Sequence, residues 1–315
     1  NAAPLVQFTP IPNICMDATP YQITQATETG GVPGSGVYSG PGVSPTGLFN
    51  PAVAGPGVHT IKYVFTSSAA GCEDSLTQTI KVWQPPTADF TVSSPACERQ
   101  DITFNGGSSV STEGTLTQWR WDFADGSPIL IQSSGAPFTH IFPGYGTYNV
   151  KLNVITSNGC VSTDKIIIVD VKPLARPDFT FPAVSCLPNA NVSFTNTSTI
   201  PDGTQAAFTY LWNFGDPGSG PVNTSTGMNP SHTYVGTGPY NVNLQVTSGA
   251  GCVHDTTIAL NSIHPQPLAS FTTDKVDVCI GGTISFTNTS NPMDGTLQSL
   301  NWDMADGTIR TAPTF

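Results

Sequence analysis

The chain has 315 residues, with 10 Lys and Arg against 21 Asp and Glu and a formal net charge of −11. A nucleic-acid-binding face needs clustered basic side chains; ten scattered ones on an acidic chain exclude that class of partner, and no apolar run approaches the roughly 18 residues of a membrane-crossing helix. Hydrophobic residues make up 38%, including 16 Phe and 5 Trp, which is enough for several small cores, while 31 Gly, 28 Pro and only 10% charged residues point to turn-rich β structure. At about 100–200 residues per domain, length alone predicts two or three domains. The chain opens without Met and without a signal peptide, so it reads as a mature product or a piece of something longer.

Residues 1–84 carry Cys15, the segment GVYSGPGV from Gly36, a strand HTIKYVFT from His59, then Gly71-Cys72 and TIKVW from Thr79. From there on the sequence repeats. ADFT at Ala88, PDFT at Pro177 and ASFT at Ala269 open three units. ITFN at Ile102, VSFTNTS at Val192 and ISFTNTS at Ile284 follow, and then WDFADG at Trp121, WNFGDP at Trp212 and WDMADG at Trp302, about 90 residues apart. HIFPGYGTYNVKLNV at His140 matches HTYVGTGPYNVNLQV at His232. The expected units are 1–84, 86–173, 175–265 and 267–315. The last stops before its His and YNV segments, so the natural chain is expected to continue. The linkers Gln84-Pro85-Pro86, Pro173 to Pro177 and Pro265-Gln266-Pro267 are short and Pro-bearing, which favours semi-rigid spacing.

Alternation of period two is clear: Tyr148, Val150, Leu152 and Val154 share one face, as do Tyr240, Val242, Leu244 and Val246. Trp119, Trp121 and Phe123 alternate with Arg120 and Asp122. No segment carries a helical stripe. Many short strands in units of this size predict an all-β chain of tandem immunoglobulin-like β-sandwiches arranged as an elongated rod. Phe104, Phe194 and Phe286 with the motif Trp residues are the expected core.

WDFADG followed by HIFPGYGTYNVKLNV resembles the polycystic-kidney-disease (PKD) domain, an immunoglobulin-like sandwich marked by WDFGDG and HxYxxxGxYxVxLxV. The resemblance covers residues 86–315; the second unit of it departs, with Asn213 and Pro217 in the motif. The Cys before the second strand, NTS after it and GC before the last strand resemble the version found in large surface proteins of Bacteroidetes, and residues 1–84 resemble the immunoglobulin-like repeats of those proteins. The resemblance implies gliding-motility or surface adhesins exported by the type 9 secretion system. It also implies a structural place for Trp121, Asp122, Asp125 and His140, for Trp212, Asp216 and His232, and for Trp302, Asp303 and Asp306, with His packed near Trp.

The seven cysteines fall two per unit: Cys15 and Cys72, Cys97 and Cys160, Cys186 and Cys252, with Cys279 alone in the last. No CxxC is present, so a zinc or thioredoxin-type site is not expected, and pairs in a chain outside the cytosol read as disulfides. Two connectivities stay open. One pairs cysteines within each unit. The other follows from the resemblance: the two cysteine-bearing loops of one sandwich sit at opposite ends, roughly 25 Å apart, whereas disulfide Cα atoms lie within about 7 Å. Head-to-tail packing then favours Cys15–Cys160 and Cys97–Cys252 as staples between units, with Cys72, Cys186 and Cys279 pairing elsewhere.

The sequence carries no catalytic constellation. Asp122 with Asp125, and Asp303 with Asp306, read as turn residues bonding nearby backbone N–H groups; a weak calcium reading remains at Asp122 and Asp125, although calcium takes six to eight oxygens. No nucleophile motif, HExxH or P-loop accompanies the histidines. Asp-Ser/Thr patterns at Ser75 and Thr256 resemble the Bacteroidetes O-glycosylation signal. The expectation is a non-catalytic, cofactor-free extracellular stalk of a cell-surface filament or adhesin. Its partners are neighbouring repeats of its own chain and polysaccharide or cell surfaces. The alternative is a spacer or carbohydrate-associating module of a secreted multidomain hydrolase.

Overall fold

The computed structural model of the protein describes residues 3–311. The regular elements of the described residues are nearly all strands, and the chain divides into two compact units, Asn1–Lys172 and Pro173–Phe315. The first unit holds two separate clusters of buried residues, one from Val6 to Val82 and one from Ala88 to Val171. The second unit holds one cluster, from Ala175 to Ile263.

In residues 3–84, a four-stranded sheet runs in the order Ile14–Cys15, Glu73–Trp83, Gly57–Ser67, Gly34–Ser39. Its first pairing is parallel, Ile14 opposite Val82 and Cys15 opposite Trp83. The facing layer is two short pairs, Val6–Phe8 with Ala26–Glu28 and Tyr21–Gln22 with Leu48–Phe49. Ile61, Ile80, Val82 and Phe49 fill the space between the layers and are fully buried. A four-residue helix, Pro51–Ala54, interrupts the β pattern: the Asn50 side chain accepts from the Ala52 and Val53 amides, Pro51 occupies the first turn, and Gly55 closes the end at φ 77°.

In the second sandwich the large sheet runs Leu130–Gln132, Leu116–Asp122, Gly146–Thr156, Lys165–Val171, and the small one runs Phe138–His140, Ile102–Asn105, Thr91–Val92. All of these pairings are antiparallel. Gly146–Thr156 lies between two partners, and its alternate residues Val150, Leu152 and Val154 are 0% exposed. Trp121 stands edge-on to Phe90 at 5.0 Å and to Phe104 at 5.9 Å, the packing preferred by ring quadrupoles.

The second unit repeats this plan, with its large sheet running Thr224–Ser225, Thr209–Asn213, Tyr240–Thr247, Val253–Leu260. Trp212 takes the place of Trp121 against Phe179 and Phe194. After Ile263, Phe271–Thr273 pairs with Phe286–Asn288, and Trp302–Asp303 with Ile309–Arg310. No described residue beyond Ile263 is buried: Phe271, Phe286 and Trp302 gather as in the earlier repeats, but the described residues there include no counterpart of the Tyr240–Thr247 strand to cover them.

Candidate functional site

Two features recur along the chain, a tight turn that follows the motif Trp and a joint built around cysteine. The turn comes first in sequence logic. Asp122 Oδ1 accepts from the Ala124 amide and Asp125 Oδ1 from the Ser127 amide, both at 2.9 Å. Asp303 with Ala305 and Asp306 with Thr308 repeat this at the same length, and Asn213 with Gly215 repeats its first half. These side-chain bonds hold the backbone in a left-handed turn, with φ 55° at Ala124, 71° at Gly215 and 60° at Ala305. At Gly215 the chain approaches so closely that an added Cβ would stand 2.5 Å from the Asn241 carbonyl oxygen.

The second carboxylate oxygen of Asp125 meets His140 Nε2 at 2.8 Å, and that of Asp216 meets His232 Nε2 at 3.1 Å. Both pairs are largely buried. Burial pushes the Asp125 carboxyl up, but the Ser127 hydroxyl and amide and the His140 ring outweigh it and hold it below the ordinary aspartate value. The resemblance implied a His packed near the Trp; the ring it stacks on directly is the neighbouring Phe, which at Phe123 lies in turn against Trp121. His140 stacks on Phe123 with ring centres 3.7 Å apart and planes 4° apart, and His232 lies on Phe214 at 4.6 Å. The alternation places Phe123 and Phe214 on the same face as the Trp and one step nearer the turn, so the ring bonded to the Asp meets the Phe first. Tyr234 packs edge-on to His232 and donates to the Phe214 carbonyl; burial, with Asp216 and Tyr240 nearby, pushes its hydroxyl above the ordinary value.

Both oxygens of Asp125 are thus engaged, and Asp122 Oδ2 faces Lys151 Nζ at 3.9 Å. Among the described residues no three His, Cys, Asp or Glu side chains gather as a metal site.

The joint lies in the first unit. Ile14–Cys15 pairs in parallel with the end of the last strand of its own sandwich, so Cys15 is carried to the edge from which the linker Gln84-Pro85-Pro86 leaves. Cys160 sits in the turn after Gly146–Thr156, where its amide donates to Thr156 Oγ1 and its carbonyl accepts from the Thr156 amide. The two cysteines are bonded, with Cα atoms 5.6 Å apart and a sequence separation of 145. This bond ties the first sandwich to the second. Glu113 grips the same linker: its carboxylate accepts from the Gln84 amide at 2.9 Å and pairs with Lys81 at 3.1 Å. Those two partners hold its carboxyl below the usual range.

The cysteine placements recur. Cys97 bridges Lys172 in parallel and Cys186 pairs with His264 in parallel, as Cys15 does with Trp83. The Cys72 and Cys252 amides donate to Ser67 Oγ and Ser248 Oγ, as Cys160 does to Thr156 Oγ1. Cys97 and Cys252 are buried, while Cys72, Cys186 and Cys279 are exposed free thiols. Ser75 is exposed on the strand Glu73–Trp83 and Thr256 is half-buried on Val253–Leu260.

Sequence reasoning missed Glu113. The signal was an acidic residue before Gly-Thr that recurs at Glu113, Asp202 and Asp294. Within the second unit, Asp294 meets His264 Nδ1 at 2.8 Å, across the linker Pro265-Gln266-Pro267.

The sequence model of the PKD domain matches residues 83–171 and 175–261, more than half of the chain. Collagenase ColA of Clostridium perfringens is 31% identical over 114 residues, which is 36% of this chain and 10% of that protein. Pre-pro-metalloprotease PrtV of Vibrio cholerae is 26% identical over 175 residues, 53% of this chain and 17% of that protein. The chain therefore spans a small part of the length of the curated relatives it matches. Among solved structures, a Ca2+-stabilized adhesin of an Antarctic bacterium is 15% identical with a TM-score of 0.35, covering 92% of this chain and 83% of that one; at that score the likeness transfers nothing to this chain. No helix of the described residues is long and apolar enough to cross a membrane. On the family match, with its motifs and buried Trp residues in register in consecutive sandwiches, the chain belongs to the PKD-domain family and carries its domains in tandem.

Proposed function

We propose that this chain is a disulfide-reinforced stalk region of a large bacterial cell-surface filament or adhesin. PKD domains are non-catalytic modules, and PKD domains and disulfides are typical of extracellular proteins. The observation that carries the reading is the Cys15–Cys160 bond, which joins neighbouring sandwiches rather than closing one. Cys97 and Cys252 hold the same places one repeat further on, and we extend the pairing to them. Exposed Cys72, Cys186 and Cys279 are left for repeats of the same kind. Such a ladder limits extension under load, which suits a filament that carries force between cells and surfaces. The domain boundaries 1–84, 86–173, 175–265 and 267–315 belong to this proposal, as do modification at Ser75 and Thr256, gliding motility and export by type 9 secretion.

Force spectroscopy tests it. Pulled from its ends, the oxidised chain should withhold at least the segment from Cys15 to Cys160, a sequence separation of 145, roughly 500 Å of contour at about 3.5 Å per residue. Reductant should restore that length. An equal contour with and without reductant contradicts the stalk.

A second reading rests on the collagenase and metalloprotease relatives: the chain is a spacer in a secreted hydrolase. A catalytic domain encoded within a few hundred residues of this region favours it; a long run of further repeats favours the stalk.

A further inference from the structure

The outward face of the large sheet in the second sandwich carries a small depression lined by Arg120, Asp122, Ile129, Lys151, Asn153 and Asp164. Register explains why the strand residues among them meet: Arg120 lies opposite both Asn153 and Ile131, and Asp122 opposite Lys151, so these side chains share the outward face. Two polar atoms here are buried without a hydrogen-bond partner, the Nε of Arg120 and the Oδ1 of Asn153. The Arg120 guanidinium enters no ion pair or hydrogen bond with any described residue. Asn153 spends its Nδ2 on Asp164 Oδ1 at 3.1 Å, which fixes its oxygen as the open acceptor. Buried polar groups are ordinarily paired, and each exception calls for a reason.

The third sandwich is an internal control. Leu211, Asn213, Asn243 and Gln245 hold the same positions, and that face closes on itself. Asn243 Nδ2 donates to Asp255 Oδ2 at 2.8 Å and Thr257 Oγ1 at 2.9 Å, and Asn213 Oδ1 accepts from Gly215 and Asn223. No side-chain nitrogen or oxygen of those four residues is left buried and unpaired. The open donor and acceptor are therefore a property of the second repeat, not of the fold.

We propose that this depression is a binding site for a neutral, hydroxyl-rich saccharide, the partner class of the surface-stalk reading on which it rests. A hydroxyl both donates and accepts, so adjacent sugar hydroxyls satisfy Arg120 and Asn153 together. A carboxylate only accepts, and it would meet Asp122 and Asp164. Those two carboxylates balance the charges of Arg120 and Lys151, leaving the site without net charge. Ile129 and Ile131, both 55% exposed, border it as an aliphatic wall for the C–H face of a sugar ring. Neighbouring atoms cover both open groups in the free chain, so binding swings the guanidinium and the amide outward. Stacking on aromatics plays no part, since Trp119 and Trp121 are buried in the core.

The test is NMR on the whole chain, following the Arg120 Nε–H resonance while cellohexaose, maltohexaose, xylohexaose or hexagalacturonate is added. At least one neutral hexasaccharide should shift that resonance with a millimolar Kd. The double variant Arg120→Leu/Asn153→Gln, which copies the third repeat, should weaken binding at least tenfold, read from sugar saturation-transfer signals. The single variant Arg120→Lys, with an unchanged melting temperature, provides the same readout should the double variant unfold. No shift with any neutral sugar at about 20 mM, tighter binding of hexagalacturonate, or equal binding by the variants overturns the proposal. Any of these leaves the force–extension behaviour of the stalk untouched, so the two readings fail separately.

Discussion

Asp125 divides its two oxygens between the Ser127 backbone and the His140 ring, and this division fixes the turn to the strand that ends at His140. Its carboxyl is held below the ordinary value. The sign follows: an acid whose folded pKa is depressed contributes stability fully above its unfolded value, near 4, and loses it as pH falls through the lower folded value. Asp125→Asn should cost about 1–3 kcal/mol at pH 7. Its stability should also fall less steeply than the parent's below about pH 4, read from chemical unfolding followed by tryptophan fluorescence. Parallel acid curves for the two proteins contradict this role. The sequence made the Asp and the His visible as recurring letters. It did not reveal their ring partner, because Trp and Phe share one face and only the three-dimensional turn decides which is nearer.

At the level of the strand, Gly146–Thr156 illustrates what sequence could and could not convey. Its alternation was plain, and its buried residues are the ones that alternation selects. Leu152→Ala should therefore destabilise the second sandwich by about 2–5 kcal/mol, whereas Asn149→Ala, on the outward face, should stay within about 0.5 kcal/mol; urea titration of the two variants checks both. The facing layer of residues 3–84 was harder to read, because strands of two or three residues such as Val6–Phe8 and Tyr21–Gln22 are too short to show a period. Glu113 was invisible for another reason. Acid-Gly-Thr looks like an ordinary turn until the linker it grips is folded against it. Arg120 reads in sequence as one polar residue among alternating aromatics, and only the ladder partners Asn153 and Ile131 show that nothing on its face satisfies it.

For the molecule as a whole, each sandwich has its own core, and a cross-link between two of them acts on the joint more than on either core. In the first three sandwiches the first cysteine rides on the end of that sandwich's last strand, and the second sits in the turn after the long central strand. At the joint between the first two sandwiches the cysteine on the end of one meets the cysteine in the turn of the other, so even spacing of the cysteines in sequence does not imply pairing within a repeat. Asp-His contacts hold the turns, and the Glu113–Gln84 contact holds the joint that the Cys15–Cys160 bond secures.

Peptide mapping of the native protein under non-reducing conditions tests that account most directly. It should yield a disulfide-linked peptide pair containing Cys15 and Cys160, and a second pair containing Cys97 and Cys252. Recovery of Cys15 linked to Cys72, or of Cys97 linked to Cys160, would show that each sandwich is bolted to itself and would contradict the stapled stalk.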